Sequence, residues 1–307
     1  MVHSVVGRRE FLGISLALVS SVRGAEPTVS FPREPRKRIA VSSYPFRSLI
    51  VNPRHHDEDS PQSGMSLEQF GESIVSKLEV SGIEPWSHHF QSTEPDYVNG
   101  LSRSFQKAGL RVVNIPVDEP VHLCSGTAGE RDAGMMTYHK WVDAAVILRS
   151  PSIRVHLPHG NGPEDIQCAA ESLKTLAAYA ESKNIVVNLE NDEPESENPF
   201  RVLKVIQAAN TPYLRSLPDF CNSMLINGEP EYNYRALRAL FPHAYNISHV
   251  KDQETEKGKT YRVDLDQIFA IAKQAGYRGY FSMEWEGNGD PYEGTKGLIE
   301  ASLRNLA

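Results

Sequence analysis

Six residues with side chains suited to acid–base or metal chemistry share one kind of neighbourhood: Glu84, His156, Glu190, Asp219, His249 and Glu284 each stand at or near the downstream end of a short apolar run. The last four are three carboxylates and an imidazole, a ligand set suited to a divalent cation such as Mn2+, Mg2+, Co2+ or Zn2+. One acid at the end of a run is commonly a helix N-cap or an ion-pair partner. Four at the ends of consecutive runs make a pattern. Gathered at one place without a cation the carboxylates would repel one another, so a metal accounts for their coexistence.

The runs that must position these groups are Arg38–Tyr44, Gly82–Trp86, Leu110–Pro116, Ser152–Leu157, Ile185–Glu190, Leu214–Asp219, Asn246–Val250 and Tyr280–Trp285. Tyr44 and Glu284 are 240 residues apart over seven intervals, about 34 each. Between the runs lie amphipathic stretches: Ile166, Ala169, Ala170, Leu173, Leu176, Ala177 and Ala180 form one apolar face after Pro163 and Glu164. Leu265, Ile268, Phe269, Ile271, Ala272 and Ala275 form another, stopped by Gly276. Strands alternating with helices at this spacing predict βαβ units and a parallel sheet. A doubly wound sheet would carry a glycine fingerprint after its first strand, and neither Gly160/Gly162 nor Gly287/Gly289 completes one. The expected fold is therefore α/β, a (β/α)8 TIM barrel in a single domain over residues 38–307, with the catalytic groups on its C-terminal face. Residues 47–65 are long for a βα connection and fall on that face, as a lid, a substrate wall or a plain surface loop.

The chain has 307 residues, 40% hydrophobic and 23% charged, which fits one large globular domain and excludes disorder or a multi-span membrane protein. Gly7-Arg8-Arg9-Glu10-Phe11-Leu12 and the apolar run to Val22 resemble a twin-arginine export signal over residues 1–25, followed by an extension over 26–37. The run is shorter than the ~20 residues of a membrane span, so no stable membrane insertion is expected. An exported, periplasmic location follows; an unprocessed tail is the alternative. Without Arg8, Arg9, Arg23 and Glu10 the formal charge moves from −7 to −9, which argues against a nucleic-acid partner. Cys124, Cys168 and Cys221 are too few for a disulfide framework and allow one bridge at most.

The segments Asn188-Leu189-Glu190-Asn191, Pro218-Asp219-Phe220-Cys221-Asn222, Ser248-His249-Val250-Lys251-Asp252 and Met283-Glu284-Trp285-Glu286-Gly287 together resemble the xylose-isomerase-like barrels, the sugar phosphate isomerase/epimerase family, from about Arg38 onward. The resemblance implies that Glu190, Asp219, His249 and Glu284 bind one metal and that Glu190 and Glu284 also move protons. Endonuclease IV, the nucleic-acid member, has a histidine three residues after the aspartate, where this chain has Asn222, and an Asp-x-His beyond the next strand that is absent here.

The chemistry is coherent on its own terms. A metal chelating the carbonyl and a neighbouring hydroxyl of a ketose acidifies the adjacent C–H. Carboxylates on opposite faces of the planar intermediate can take and return the proton, giving epimerisation, or isomerisation if the proton returns to a neighbouring carbon. Glu84, His156, Asn222 and Lys251 are expected to bind the sugar, although Glu84 and His156 also suit caps or structural hydrogen bonds and Lys251 suits a solvated face. His88, His89 and His159 suit the rim. Trp86, Phe46 and Trp285 can stack on a sugar or simply pack. Gly294-Thr295-Lys296-Gly297 suits a phosphate site less well than a plain helix start, and Cys221 is expected to be structural. The first expectation is a metal-dependent isomerase or epimerase of a ketose or keto-sugar. The alternatives are a lyase eliminating a group from 3-keto-glycosides with the same first step, and a non-catalytic sugar-binding barrel; the family resemblance also allows a homo-oligomer.

Overall fold

The computed structural model describes residues 25–53, 61, 63–158, 166–194 and 196–307. The expected export signal, apart from Ala25, lies outside the described residues, as do part of the 47–65 loop, His159 and the expected helix start at Pro163 and Glu164.

All eight expected runs contribute strands. They are β1 (Ile39–Ser42), β2 (Gly82–Glu84), β3 (Arg111–Val112) with its continuation β4 (Pro116–Val117), β5 (Ser152–Val155), β6 (Val186–Glu190), β7 (Leu214–Leu217) and β8 (Ile247–Val250). A hairpin, β9 (Gln253–Glu256) and β10 (Lys259–Arg262), precedes the last barrel strand, β11 (Tyr280–Met283). Parallel pairing runs β3-β2-β1-β11-β8 and β4-β5-β6-β7. The third run closes one seam, because β3 pairs with β2 and β4 with β5. Parallel bridges Ser216–Ala244 and Asp219–His249 close the other. The result is a barrel without a free edge.

The helices are α1 (Leu67–Leu78), α2 (Pro95–Lys107), α3 (Ala128–Leu148), α4 (Ile166–Glu181), α5 (Pro199–Ala209), α6 (Met224–Asn227), α7 (Pro230–Leu240), α8 (Leu265–Gln274) and α9 (Pro291–Leu306). Local chemistry sets several starts: Ser66 with Gln69 and Thr127 with Glu130 form capping boxes, and Asp264 and Asp290 accept from the first-turn amides. The predicted faces are the buried ones, Leu173, Leu176 and Ala177 on α4 and Ile268, Ile271 and Ala272 on α8 among them. Among the described residues no helix is long and apolar enough to cross a membrane.

Two features of the barrel were not legible in the apolar pattern. Its interior carries a polar layer: Asn188 Nδ2 donates to Asn246 Oδ1 at 3.2 Å, Asn246 Nδ2 to Ser152 Oγ at 2.7 Å, and Ser152 Oγ to Asn114 Oδ1 at 2.5 Å. All four side chains are fully buried and are linked in one chain of hydrogen bonds, with Asn188 Oδ1 left without a partner. At the opposite end from the site, the extension over 26–37 docks on the barrel. Phe31 packs edge-on against Tyr245 and Tyr280, Asn184 exchanges two hydrogen bonds with the backbone of Thr28, and Glu26 pairs with Arg215.

Cys124, after β4, is bonded to Cys168 in the first turn of α4, leaving Cys221 free and buried. The bridge staples two connections on the site face. Closing a loop of 44 residues restricts the unfolded chain enough to stabilise the fold by about 4 kcal/mol in the chain-entropy account. Reduction, or Cys124→Ser, should therefore lower the urea midpoint and leave the slope equal or steeper as the unfolded chain expands; a midpoint indifferent to reductant would show that the bridge contributes nothing.

Candidate metal and sugar site

The quartet predicted from sequence converges. One ligand atom from each of Glu190, Asp219, His249 and Glu284 lies within 4.8 Å of the others, and all four residues are buried. Opposed donors on one ion at bond lengths of about 2.0–2.3 Å are separated by roughly twice that, so the cluster has the span of a single-ion site.

Each side chain is aimed by its element. Glu190 ends β6 and Glu284 follows β11 directly, three strand positions apart around the barrel, with β7 and the His249 strand β8 between them. Asp219 lies just past β7, where its N–H donates to Asn191 Oδ1 at 2.8 Å. Its Oδ1 accepts from the N–H groups of Cys221 and Asn222 at 2.8 and 2.7 Å, while Oδ2 is buried without a hydrogen-bond partner. A buried carboxylate oxygen without a hydrogen bond costs free energy; Lys251 Nζ stands 3.8 Å away, and a cation among the quartet would satisfy it more fully. His249 Nδ1 lies 2.7 Å from Glu190 Oε1 and 3.1 Å from Glu284 Oε2.

The electrostatics of the site without a cation are those of crowded acids. Burial pushes Asp219 up to about 7, against the pull of Lys251, and Glu190 and Glu284 push the same way. Burial would lower His249, but the carboxylates of Glu190, Glu284 and Glu84 outweigh it and hold the imidazole well above its ordinary value. For Glu284 burial is outweighed in the other direction: His249, Lys251 and Arg154 draw it below the usual carboxylate range.

The quartet opens into a cavity of about 460 Å³ lined by Glu190, Glu284, Lys251, Glu286, Arg154, His156, Asp118, Asp192, Glu193, Tyr44, Arg47, Trp86, His88 and Pro116. Lys251 Nζ donates to Glu286 at 2.8 Å and to Asn222 Oδ1 at 3.1 Å, and stands 3.3 Å from Glu284. His156 joins the far wall: its Nε2 is 3.0 Å from Asp118 and its Nδ1 3.2 Å from Glu197. Burial and Arg154 oppose its protonation, but the hydrogen bonds to Asp118 and Glu197 raise it well above its ordinary value.

Lys251 and His156 thus reach the cavity, whereas Glu84 and Asn222 do not line it. Glu84 is fully buried behind His249, accepting from Asn114 Nδ2 at 2.7 Å, and lies beneath the site and not in the cavity wall where a sugar ligand was expected. Asn222 holds Lys251 and caps Asp219 through its N–H, so it too acts from behind. Trp86 and His88 reach the wall as a stacked pair, ring centroids 4.1 Å apart. Phe46 and His89 are core, and Trp285 lies against Gly287 and Gly294.

Sequence reasoning missed Arg154 and Asp118. Arg154 is buried, paired with Asp118, 3.1 Å from Glu190 Oε2 and 3.9 Å from Asp192. Its signal was alternation: a charged residue inside an apolar strand, two before His156, must share the latter's face. His156, Asp192 and Glu197 also have the spacing of a metal group, but the Arg154 guanidinium already stands among them, 3.1 Å from His156 Nε2.

A barrel with this quartet at its C-terminal mouth defines a class of protein, and the comparisons agree with it. The chain belongs to the xylose isomerase-like TIM barrel family, whose sequence model matches residues 73–306. The solved structures it resembles include a D-tagatose 3-epimerase-like protein (15% identity, 87% of this chain and 97% of that one, TM-score 0.67). A xylose isomerase-like barrel protein from Mycobacterium smegmatis in complex with magnesium gives 15% identity, 88% and 97% coverage and a TM-score of 0.66. The 3-keto-D-glucoside 4-epimerase of E. coli gives 14%, 87% and 98%, and 0.63. At these identities the likeness is one of fold. No curated protein sequence matches the chain.

With Asp219 pushed up to about 7 and His249 held well above its ordinary value, a cation binding there should displace protons, so metal affinity should rise with pH. Calorimetry of Mn2+ binding in buffers of different ionisation enthalpy should find about two protons released per ion at pH 6, falling as Asp219 ionises through about 7. Affinity independent of pH between about 6 and 8 would contradict the ligand set.

Proposed function

We propose that the protein is a divalent-metal-dependent isomerase or epimerase of a neutral ketose or keto-sugar, with Glu190 and Glu284 exchanging the substrate proton. The observation that carries this reading is that two carboxylates, Glu190 and Glu284, belong to one buried ligand cluster and both border a single polar cavity. When bound, a cation such as Mn2+, Mg2+, Co2+ or Zn2+ would polarise the substrate carbonyl and stabilise negative charge on its oxygen.

The chain's own groups do the rest. One glutamate removes the proton from the carbon next to the carbonyl and the other delivers a proton to the opposite face. Arg154, at 3.1 Å, keeps a positive charge beside Glu190, and Lys251 does the same for Glu284 at 3.3 Å. Lys251 also presents donors to a substrate oxygen, and the wall of Asp118, Arg154 and His156 offers both donors and acceptors to hydroxyls. Carboxylates outnumber Arg47, Arg154 and Lys251 in the lining, which favours an uncharged sugar over a phosphorylated one.

Glu190→Gln and Glu284→Gln preserve size while removing the base. Each should cut turnover by about 10²–10⁴-fold with the melting transition intact. Incubation of keto-sugars and 3-keto-glycosides in deuterated water, read by NMR, should show label at the inverted carbon. An unsaturated product would instead identify elimination, and near-normal rates in either variant would sink the assignment of the two glutamates.

We also propose that the protein is exported. The paired arginines Arg8 and Arg9 support this, and so does the Cys124–Cys168 bridge, which suits an oxidising compartment. Replacing both arginines by lysine should retain the protein in the cytoplasm; unchanged distribution between cell fractions would refute the twin-arginine route.

A further inference from the structure

We infer that Glu84 is a positioning residue that fixes the tautomer and ring orientation of His249, turning Nδ1 toward the metal and strengthening it as a ligand. This rests on the reading of the quartet as a metal site.

The two imidazole nitrogens of His249 face different surroundings. Nδ1 looks at Glu190 Oε1 and Glu284 Oε2, at 2.7 and 3.1 Å, the carboxylates that would share the ion. Nε2 looks the other way and lies 3.0 Å from both oxygens of Glu84. A neutral imidazole has one N–H and one lone pair. Only Nδ1 is placed to give its lone pair to an ion among the quartet, so Nε2 carries the hydrogen and donates it to Glu84.

Glu84 is not part of the quartet and does not line the cavity. It is fully buried at the end of β2, so neither substrate nor bulk water pairs its charge. It is nevertheless held in place: Asn114 Nδ2 donates to Oε1 at 2.7 Å, and Asn114 is itself fixed by the Ser152–Asn246–Asn188 layer that crosses the barrel. A buried carboxylate is costly unless hydrogen-bonded, and here its partners are Asn114 and the Nε2–H of His249. The negative charge behind the ring raises the basicity of the opposite nitrogen, and the fixed ring spares the ion the cost of ordering it.

The test is Mn2+ binding to chelator-stripped protein by calorimetry, with circular dichroism and melting as checks of fold. Glu84→Gln can still accept the Nε2–H through its amide oxygen but lacks the charge. It should bind Mn2+ about 10–100-fold more weakly than wild type while folding normally. Equal affinity in the two proteins overturns the inference and leaves the metal site standing; a wild type that does not bind Mn2+ overturns both. If Glu84→Gln does not fold, 15N NMR of Zn2+-loaded wild type, with His249 identified by its absence in His249→Gln, decides. A metal-bound Nδ1 with a proton on Nε2 is expected, and ligation through Nε2 overturns the inference.

Discussion

The structure turns on the cost of placing Glu84, Glu190, Asp219 and Glu284 around one imidazole in a buried space. At 4 Å, two like charges repel by about 4 kcal/mol even in the effective dielectric of a protein near its surface. His249, Lys251 and Arg154 offset part of this, and the remainder shows in Asp219, driven up to about 7 with one oxygen unpartnered. Hydrophobic isosteres would pack the same space at lower cost. A cation bound among these acids would relieve that repulsion.

The barrel makes this tolerable. Each acid comes from a separate strand, so closure of the sheet sets their distances, and no one loop has to carry more than one ligand. Backbone amides past β7 hold Asp219, and a hydrogen-bonded amide layer below holds Glu84 through Asn114. The far end is covered by the chain's own extension, whose Phe31 packs on Tyr280 and Tyr245. The polar interior and the plugged base are two solutions to one problem: a barrel whose upper half is given over to charge must find its order elsewhere.

Legibility followed from how much each feature owes to local pattern. Barrel strands are buried on both faces, so their runs read as apolar stretches at regular intervals, and acids that end them stand out. Direction could be read, since alternation turns Glu84 inward; depth could not, and Glu84 lies below the mouth that Glu190 borders. Asp118 was missed because the third run continues past Pro116 through β4. The β9–β10 hairpin, turned by Lys257 and Gly258 at positive φ, is mostly exposed and has no apolar face to announce it. The Cys124–Cys168 bridge depends on two connections meeting in space, which a separation of 44 residues does not disclose.

Arg154 ties these levels together. Its Nε lies 3.1 Å from Glu190, and the rest of the guanidinium pairs with Asp118, which also accepts from Trp86 Nε1 at 2.6 Å and stands 3.0 Å from His156. One planar, always-charged group therefore joins a metal ligand to the wall that would hold the substrate. A lysine would bring the charge but not the rigid planar fork that sets the two carboxylates at fixed angles. Any shift of Glu190 toward a bound ion must be accommodated by that fork, and with it by Asp118 and the Trp86–His88 pair. Arg154 thus ties the position of Glu190 to the wall of the cavity.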